Sequence, residues 1–276
     1  MSSKLYFTFL AIGLSAVNTN VIFSKSISQN SEFYPKFCQA AAKDDAVFKT
    51  FRRDPAIRAI IETCWDKLSG AYFLNEIETK YPQLLPYLRQ ICEEDIIGSP
   101  IAFDYPPYGT ISPIVLRYVK IVGDLQREFG DLSKLNIAEI GGGFGGQCKI
   151  INNIGSFASY TIIDLPECTP LINKYLASFA IKNLKTINSN VLTTPIQCDL
   201  IISNFAFSEL DQSEQLHYMQ MVINSAKRGY IIYNNLPIIN PFTSAEFVKL
   251  LRRNSTKNII VLHEQAPYSG DVIIWK

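Results

Sequence analysis

The chain has 276 residues, of which 47% are apolar and 18% charged. That supports a sizeable core in one large domain, or a domain with a cap, and excludes a wholly disordered chain. A formal net charge of +1 with no basic tract argues against nucleic acid as a partner.

The chain opens on Lys4 and then Leu5–Val17, an almost unbroken apolar run of thirteen residues. Its length suits a signal-peptide h-region better than a spanning helix, which needs about 20 residues. The other reading is an N-terminal helix that is buried or leans on a membrane. Residues 24–31 are Ser/Asn-rich and read as a linker, so residues 1–30 stand apart. Residues 31–112 are expected to form a helical cap, with an all-helical pattern from Phe33 to Ile97. Asp54-Pro55 reads as a helix start, Ile57, Ile60, Ile61, Cys64 and Leu68 follow at helical spacing, and Gly70 should end that segment. Leu84–Ile91 is a second amphipathic piece, and the prolines and glycines of Gly98–Ser112 forbid long regular structure. Ser112-Pro113 reads as N-cap and first turn of a helix that Gly130 closes. The six cysteines (38, 64, 92, 148, 168 and 198) contain no C-x-x-C pair and histidine is scarce, so reduced structural thiols are expected and no zinc or other metal site.

From residue 113 to 276 short apolar strands alternate with helices. Strands are expected at Ile137–Ile140, Tyr160–Ile163, Thr186–Asn188, Leu200–Ser203 and Tyr230–Tyr233, with helices at Gln147–Asn153, Thr169–Phe179 and Gln212–Ala226 between them. This alternation predicts an α/β fold, a Rossmann-like, mostly parallel sheet. Two further strands, Asn258–His263 and Asp271–Trp275, are separated by only seven residues, too few for a crossover helix. The sheet of seven strands should therefore end in an antiparallel one.

The first of these strands runs into Gly141, Gly142, Gly143, Gly145 and Gly146, five glycines within six positions. A buried strand that breaks into glycine and then helix brings bare backbone and a helix N-terminus against a ligand. Gly141-x-Gly143-x-x-Gly146 satisfies the dinucleotide fingerprint, and Asp164 lies near the spacing expected of its ribose-binding acid. Glu139-x-Gly141-x-Gly143-x-Gly145 equally fits the turn of S-adenosylmethionine enzymes. Under either ligand the Asp164 carboxylate offers two acceptor oxygens to a ribose diol. Glu139, the reversed last strand and the room left for only about 130 residues after the turn favour S-adenosylmethionine.

The segments Tyr108-Gly109, Ile111–Tyr118, Ala138–Ile150, Ile162–Pro166, Lys174–Leu176, Ser203–Leu210 and Gly229–Asn235 occur in that order. Together they resemble the class I S-adenosylmethionine-dependent methyltransferases, and within them the bacterial sugar O-methyltransferase family. The resemblance implies methyl transfer from S-adenosyl-L-methionine to a hydroxyl, with a saccharide or small-molecule acceptor. On the cofactor side the candidates are Glu139, Gly141, Gly143, Gly145, Asp164, Asn190, Asn204 and Arg117, the last through the cofactor carboxylate. Glu209 and His263 are the candidate bases, because an alcohol needs a place for its proton and a positioned base contributes about 10²–10⁴-fold. Tyr105 and Tyr108 are candidates for a sugar-facing wall. The competing readings are an NAD(P)-dependent oxidoreductase and a non-catalytic cofactor-binding module. A cytoplasmic protein is expected, because the methyl donor is made there, with membrane association through residues 5–17.

Overall fold

The computed structural model describes residues 28, 31, 33–63, 66–234, 241–254, 257–264 and 270–276. The Leu5–Val17 run and Cys64 lie outside them. Among the described residues no helix is long and apolar enough to cross a membrane.

Residues 34–94 form helices α1 (Tyr34–Lys43), α2 (Asp45–Phe48), α3 (Pro55–Ile60), α4 (Lys67–Lys80) and α5 (Leu85–Glu94). The Asp54 carboxylate accepts from Ala56 N–H (2.8 Å), the cap that starts α3. The expectation that this segment runs on to Gly70 is corrected. α3 stops at Ile60, and Gly70 lies inside α4. A Cβ at Gly70 would sit 1.9 Å from the Tyr105 hydroxyl, so this glycine serves a close crossing and not a helix end. The turn-rich stretch contains a small antiparallel hairpin, β1 (Phe103–Tyr105) and β2 (Gly109–Ile111). Helix α6 (Pro113–Phe129) then runs to Gly130, which closes it at φ +76°.

The large sheet holds β3 (Asn136–Ile140), β4 (Ser159–Asp164), β5 (Leu184–Asn188), β6 (Leu200–Asn204), β7 (Arg228–Tyr233), β8 (Ile259–Glu264) and β9 (Gly270–Trp275). Their spatial order is β5-β4-β3-β6-β7-β9-β8. Every pair is parallel except those made by β9, which runs against both β7 and β8. The expected architecture is therefore the observed one. Helices α7 (Gly146–Ile154), α8 (Thr169–Leu176), α9 (Gln212–Tyr218) and α10 (Ser244–Asn254) connect the strands, and a π-helical turn, Met219–Ile223, continues α9.

Alternate strand residues feed two cores. Ile137, Tyr160, Ile162, Leu200, Ile202, Tyr230 and Ile232 join α6, α7, α8 and the buried residues of 34–111 in one continuous cluster. Ala138, Ile140, Ile163, Ile201, Ile231, Tyr233 and Trp275 pack on the other face against α9, the π turn and α10. Burial on both faces explains why these strands read as unbroken apolar runs. The order reverses between β3 and β6. That is the switch point of an open α/β sheet, where a crevice opens beyond the carboxyl ends of the strands.

Candidate active site

Strand β3 ends at this switch point in the glycine turn. Gly141, Gly143 and Gly145 have φ of +75°, +61° and +97°, a region that other residues enter only with strain. Gly141 N–H is held by Ile163 O (2.9 Å), and Gly145 N–H by Gly142 O (2.7 Å), which ties the turn to the end of β4 and to itself. Asp164, the last residue of β4, accepts from Gly143 N–H (3.2 Å) and Leu165 N–H (2.7 Å), one contact on each carboxylate oxygen. A third backbone N–H, from Gly142, also hydrogen-bonds this carboxylate, so of its roughly four lone-pair sites about one is left for a ribose hydroxyl. Burial pushes the Asp164 carboxyl up to about 6, against the backbone N–H groups that hold it down.

Glu139 lies beneath the turn and is 1% exposed. It accepts from the Tyr160 hydroxyl at 2.8 Å. Burial lifts its carboxyl to about 8, the Tyr160 bond opposes this, and the Asp164 charge adds to it. Asn204 ends β6 on the other side of the switch point and donates to Gln147 Oε1 (3.2 Å) at the start of α7. Its Oδ1 is buried and, among the described residues, has no hydrogen-bond partner. Phe205 follows at φ +71°, a strained conformation of the kind that gathers at functional sites. Buried Arg117 reaches across from α6. Its Cζ lies 5.2 Å from the centre of the Phe205 ring and 5.8 Å from that of Tyr118, and its Nη1 is 3.4 Å from Thr63 Oγ1.

These residues form one neighbourhood, and His263 stands outside it. Asn190 lies exposed in the short turn after β5, two residues past Asn188, which stands opposite Asp164 in the β4–β5 pair. His263 is on the edge strand β8, with its side chain 79% exposed and paired with Asp271. β9 and β7 stand between it and β6, a gap of about 14 Å at the usual strand spacing. Glu209 ends the single 3₁₀ turn after β6, half-buried, with Asn234 Nδ2 donating to its Oε1 at 3.1 Å. Burial lifts its carboxyl to about 7, and the Asn234 contact lowers it. Asp211 caps α9 immediately after, accepting from Glu214 N–H at 2.9 Å. Asp199 lies at the opposite end of β6, bound to Asn136 and Lys227.

What covers the turn comes from distant parts of the chain that no local motif marks. Ile61, at the end of α3, lies 3.2 Å from where a Cβ on Gly143 would stand. Fully buried Arg52 places its guanidinium 4.8 Å over the Phe144 ring. It is paired with Glu62 and Asp95 and donates to Ser112 Oγ (2.8 Å). Ser112, expected to cap α6 through its side chain, spends its hydroxyl here. Tyr105 is core packing, its hydroxyl donating to Lys67 O (3.1 Å). Tyr108 lines a cavity of about 620 Å³ between α5 and the hairpin, together with Arg53, Arg89 and Asp95.

No protein-family model matches the chain, and no curated protein sequence does. Among solved structures it is similar to the pyocyanin biosynthetic protein PhzM, at 16% identity over 59% of this chain and 57% of that one, with a TM-score of 0.45. It is also similar to magnesium protoporphyrin IX methyltransferase (ChlM) from Synechocystis PCC 6803 with bound SAM, at 13% identity over 59% and 83% of the two chains and a TM-score of 0.47. A SAM-dependent methyltransferase from Aquifex aeolicus is similar at 18% identity over 57% and 88%, with a TM-score of 0.42.

Proposed function

We propose that this chain is an S-adenosylmethionine-dependent O-methyltransferase acting on a sugar hydroxyl. The observation that carries the reading is the switch-point turn itself: three glycines at positive φ, tied to the buried Asp164 carboxylate at the end of β4. The buried, unpartnered Oδ1 of Asn204 marks a second polar position at the same mouth. The antiparallel β9 inserted between β7 and β8 supports this ligand over a dinucleotide. The two segments that suggest a sugar acceptor, Ile111–Tyr118 and Ser203–Leu210, meet in space where Arg117 lies over Phe205.

In this reading Asp164 holds a ribose hydroxyl, and the glycine turn admits the amino-acid end of the cofactor. Bound there, S-adenosylmethionine supplies an electrophilic methyl whose bond to sulfur breaks as the bond to the acceptor oxygen forms, leaving a neutral thioether. Glu209, beside the end of β6, takes the hydroxyl proton. Burial sets its affinity for that proton near neutrality, where a general base is most effective. The reading places the protein in the cytoplasm with its donor, and gives residues 5–17 to a membrane contact.

The test uses S-adenosylmethionine carrying an isotopic methyl and a panel of saccharides. Transfer into an alkali-stable methyl ether is expected. Cofactor binding without transfer to any hydroxyl, or transfer to nitrogen or carbon, overturns the O-methyl assignment.

A further inference from the structure

A short hydrogen-bonded chain ends on Glu209. In the β6–β7 pair Asn204 stands opposite Ile232, so the residues after Ile232 run alongside the turn that follows β6. Asn234 N–H donates to Ser208 Oγ (3.1 Å), and Asn234 Nδ2 donates to Glu209 Oε1 (3.1 Å). The Ser208 hydroxyl has two acceptors within reach, Asn234 Oδ1 and Phe205 O, the latter at 2.6 Å.

One hydroxyl proton cannot serve both acceptors. If it goes to Asn234 Oδ1, the amide presents Nδ2–H to Glu209, which suits a carboxylate. If it goes to Phe205 O, Ser208 Oγ is free to accept from Nδ2, and the amide presents Oδ1 to Glu209. That second arrangement suits a carboxyl that carries its proton. Both keep the Ser208 hydroxyl, the Asn234 amide and Glu209 Oε1 joined in one chain. A half-buried base gains from such a pair, because a carboxyl left without a partner in either state would resist the change.

Resting on the methyltransferase reading above, we propose that Asn234 is a positioning residue for the acid–base carboxyl. Its side-chain amide reverses when Glu209 takes up a proton, and the Ser208 hydroxyl reverses with it. The proton moves from the acceptor hydroxyl to a Glu209 oxygen, and leaves to solvent as the amide returns. Charged groups on the neighbouring elements are engaged elsewhere. Asp211 accepts from Ser213 and Glu214, Asp271 of β9 is held by Ser244 and His263, Glu246 of α10 accepts from Thr243, and Arg117 of α6 lies over Phe205. The influences on the Glu209 carboxyl are burial and the Asn234 amide.

The experiment is an NMR titration of the full chain labelled with [13C]glutamate at the carboxyl. The Glu209 signal is assigned by its loss in Glu209→Gln. In Asn234→Ala the midpoint should rise, since the bond lost by the carboxylate is charge-assisted and stronger than the neutral one lost by the protonated carboxyl. A midpoint that stays put or falls overturns the proposal. Should Asn234→Ala fail to fold, the wild type decides alone. With [15N]asparagine, one side-chain amide pair must move with the midpoint of Glu209, and the absence of such a pair overturns the proposal. Calorimetry with S-adenosylhomocysteine is the separate arm. No binding by the wild type removes the methyltransferase reading whatever the titration shows, while binding that survives Asn234→Ala with a raised midpoint is the expected result.

Discussion

Replacing Arg52 with alanine tests how the helical cap is fastened to the glycine turn. The guanidinium is 1% exposed and has Glu62 and Asp95 as ion-pair partners, Ser112 Oγ as an acceptor and the Phe144 ring beneath it. Removing one partner from a buried ionic cluster leaves its carboxylates uncompensated, a loss of about 3–5 kcal/mol. For a chain of this length that corresponds to a fall in Tm of roughly 6–20 °C. The loss should depend on pH in a definite sense. Burial raises the Glu62 carboxyl above its ordinary value, and Arg52 opposes that rise. Without Arg52 the folded-state value climbs further above the unfolded one, so the native form binds protons more readily. Stability of Arg52→Ala should therefore recover as pH falls through the raised Glu62 value toward about 4, and the deficit should be greatest above it. Differential scanning calorimetry at pH 5.5 and pH 8 reads both quantities. Adding Glu62→Gln to Arg52→Ala should restore part of the loss at pH 8. A Tm within 2 °C of wild type, or a deficit that grows on acidification, refutes the reasoning.

The site yields further tests. Gly145→Ala places a Cβ 2.8 Å from Leu176 at a φ of +97°, so a cost of about 2–4 kcal/mol from strain and overpacking should appear in urea unfolding. Glu209→Gln should lower turnover by about 10²–10⁴-fold with binding of S-adenosylhomocysteine unchanged. In the wild type, the rate should rise with pH through about 7 as Glu209 ionises, because a base must be deprotonated to act. Affinity for S-adenosylhomocysteine should weaken as pH falls through about 6, where Asp164 takes up a proton and loses acceptor capacity.

The parts of this molecule governed by local rules were legible in the chain. The strands are two-sided apolar runs, so composition marks them. The seven residues between His263 and Asp271 admit only a reversal, and β9 is indeed antiparallel. Glycine at 141, 143 and 145 has a local cause, positive φ, and Asp164 is fixed by where β4 ends. Errors arose where a residue answers to something distant. Gly70 resembles a helix terminator, but it is small because Tyr105 crosses it. His263 is of a residue type suited to a base and stands on a strand-like segment, but strand order, which no local pattern encodes, sets it at the sheet edge. Arg52 and Glu62 carry no motif or spacing that marks them in the chain. Only the fold, by bringing Asp95 and Ser112 to them, makes that cluster visible.

Isothermal titration of the full chain with S-adenosylhomocysteine, with NADH as the rival and Asp164→Ala as the control, bears on the heart of this account. Heat of binding with the thioether nucleoside, none with NADH, and an affinity at least about tenfold weaker in Asp164→Ala are expected, since the variant loses its charge-assisted contact to the ribose. Silence toward S-adenosylhomocysteine, or binding of NADH in its place, would contradict it.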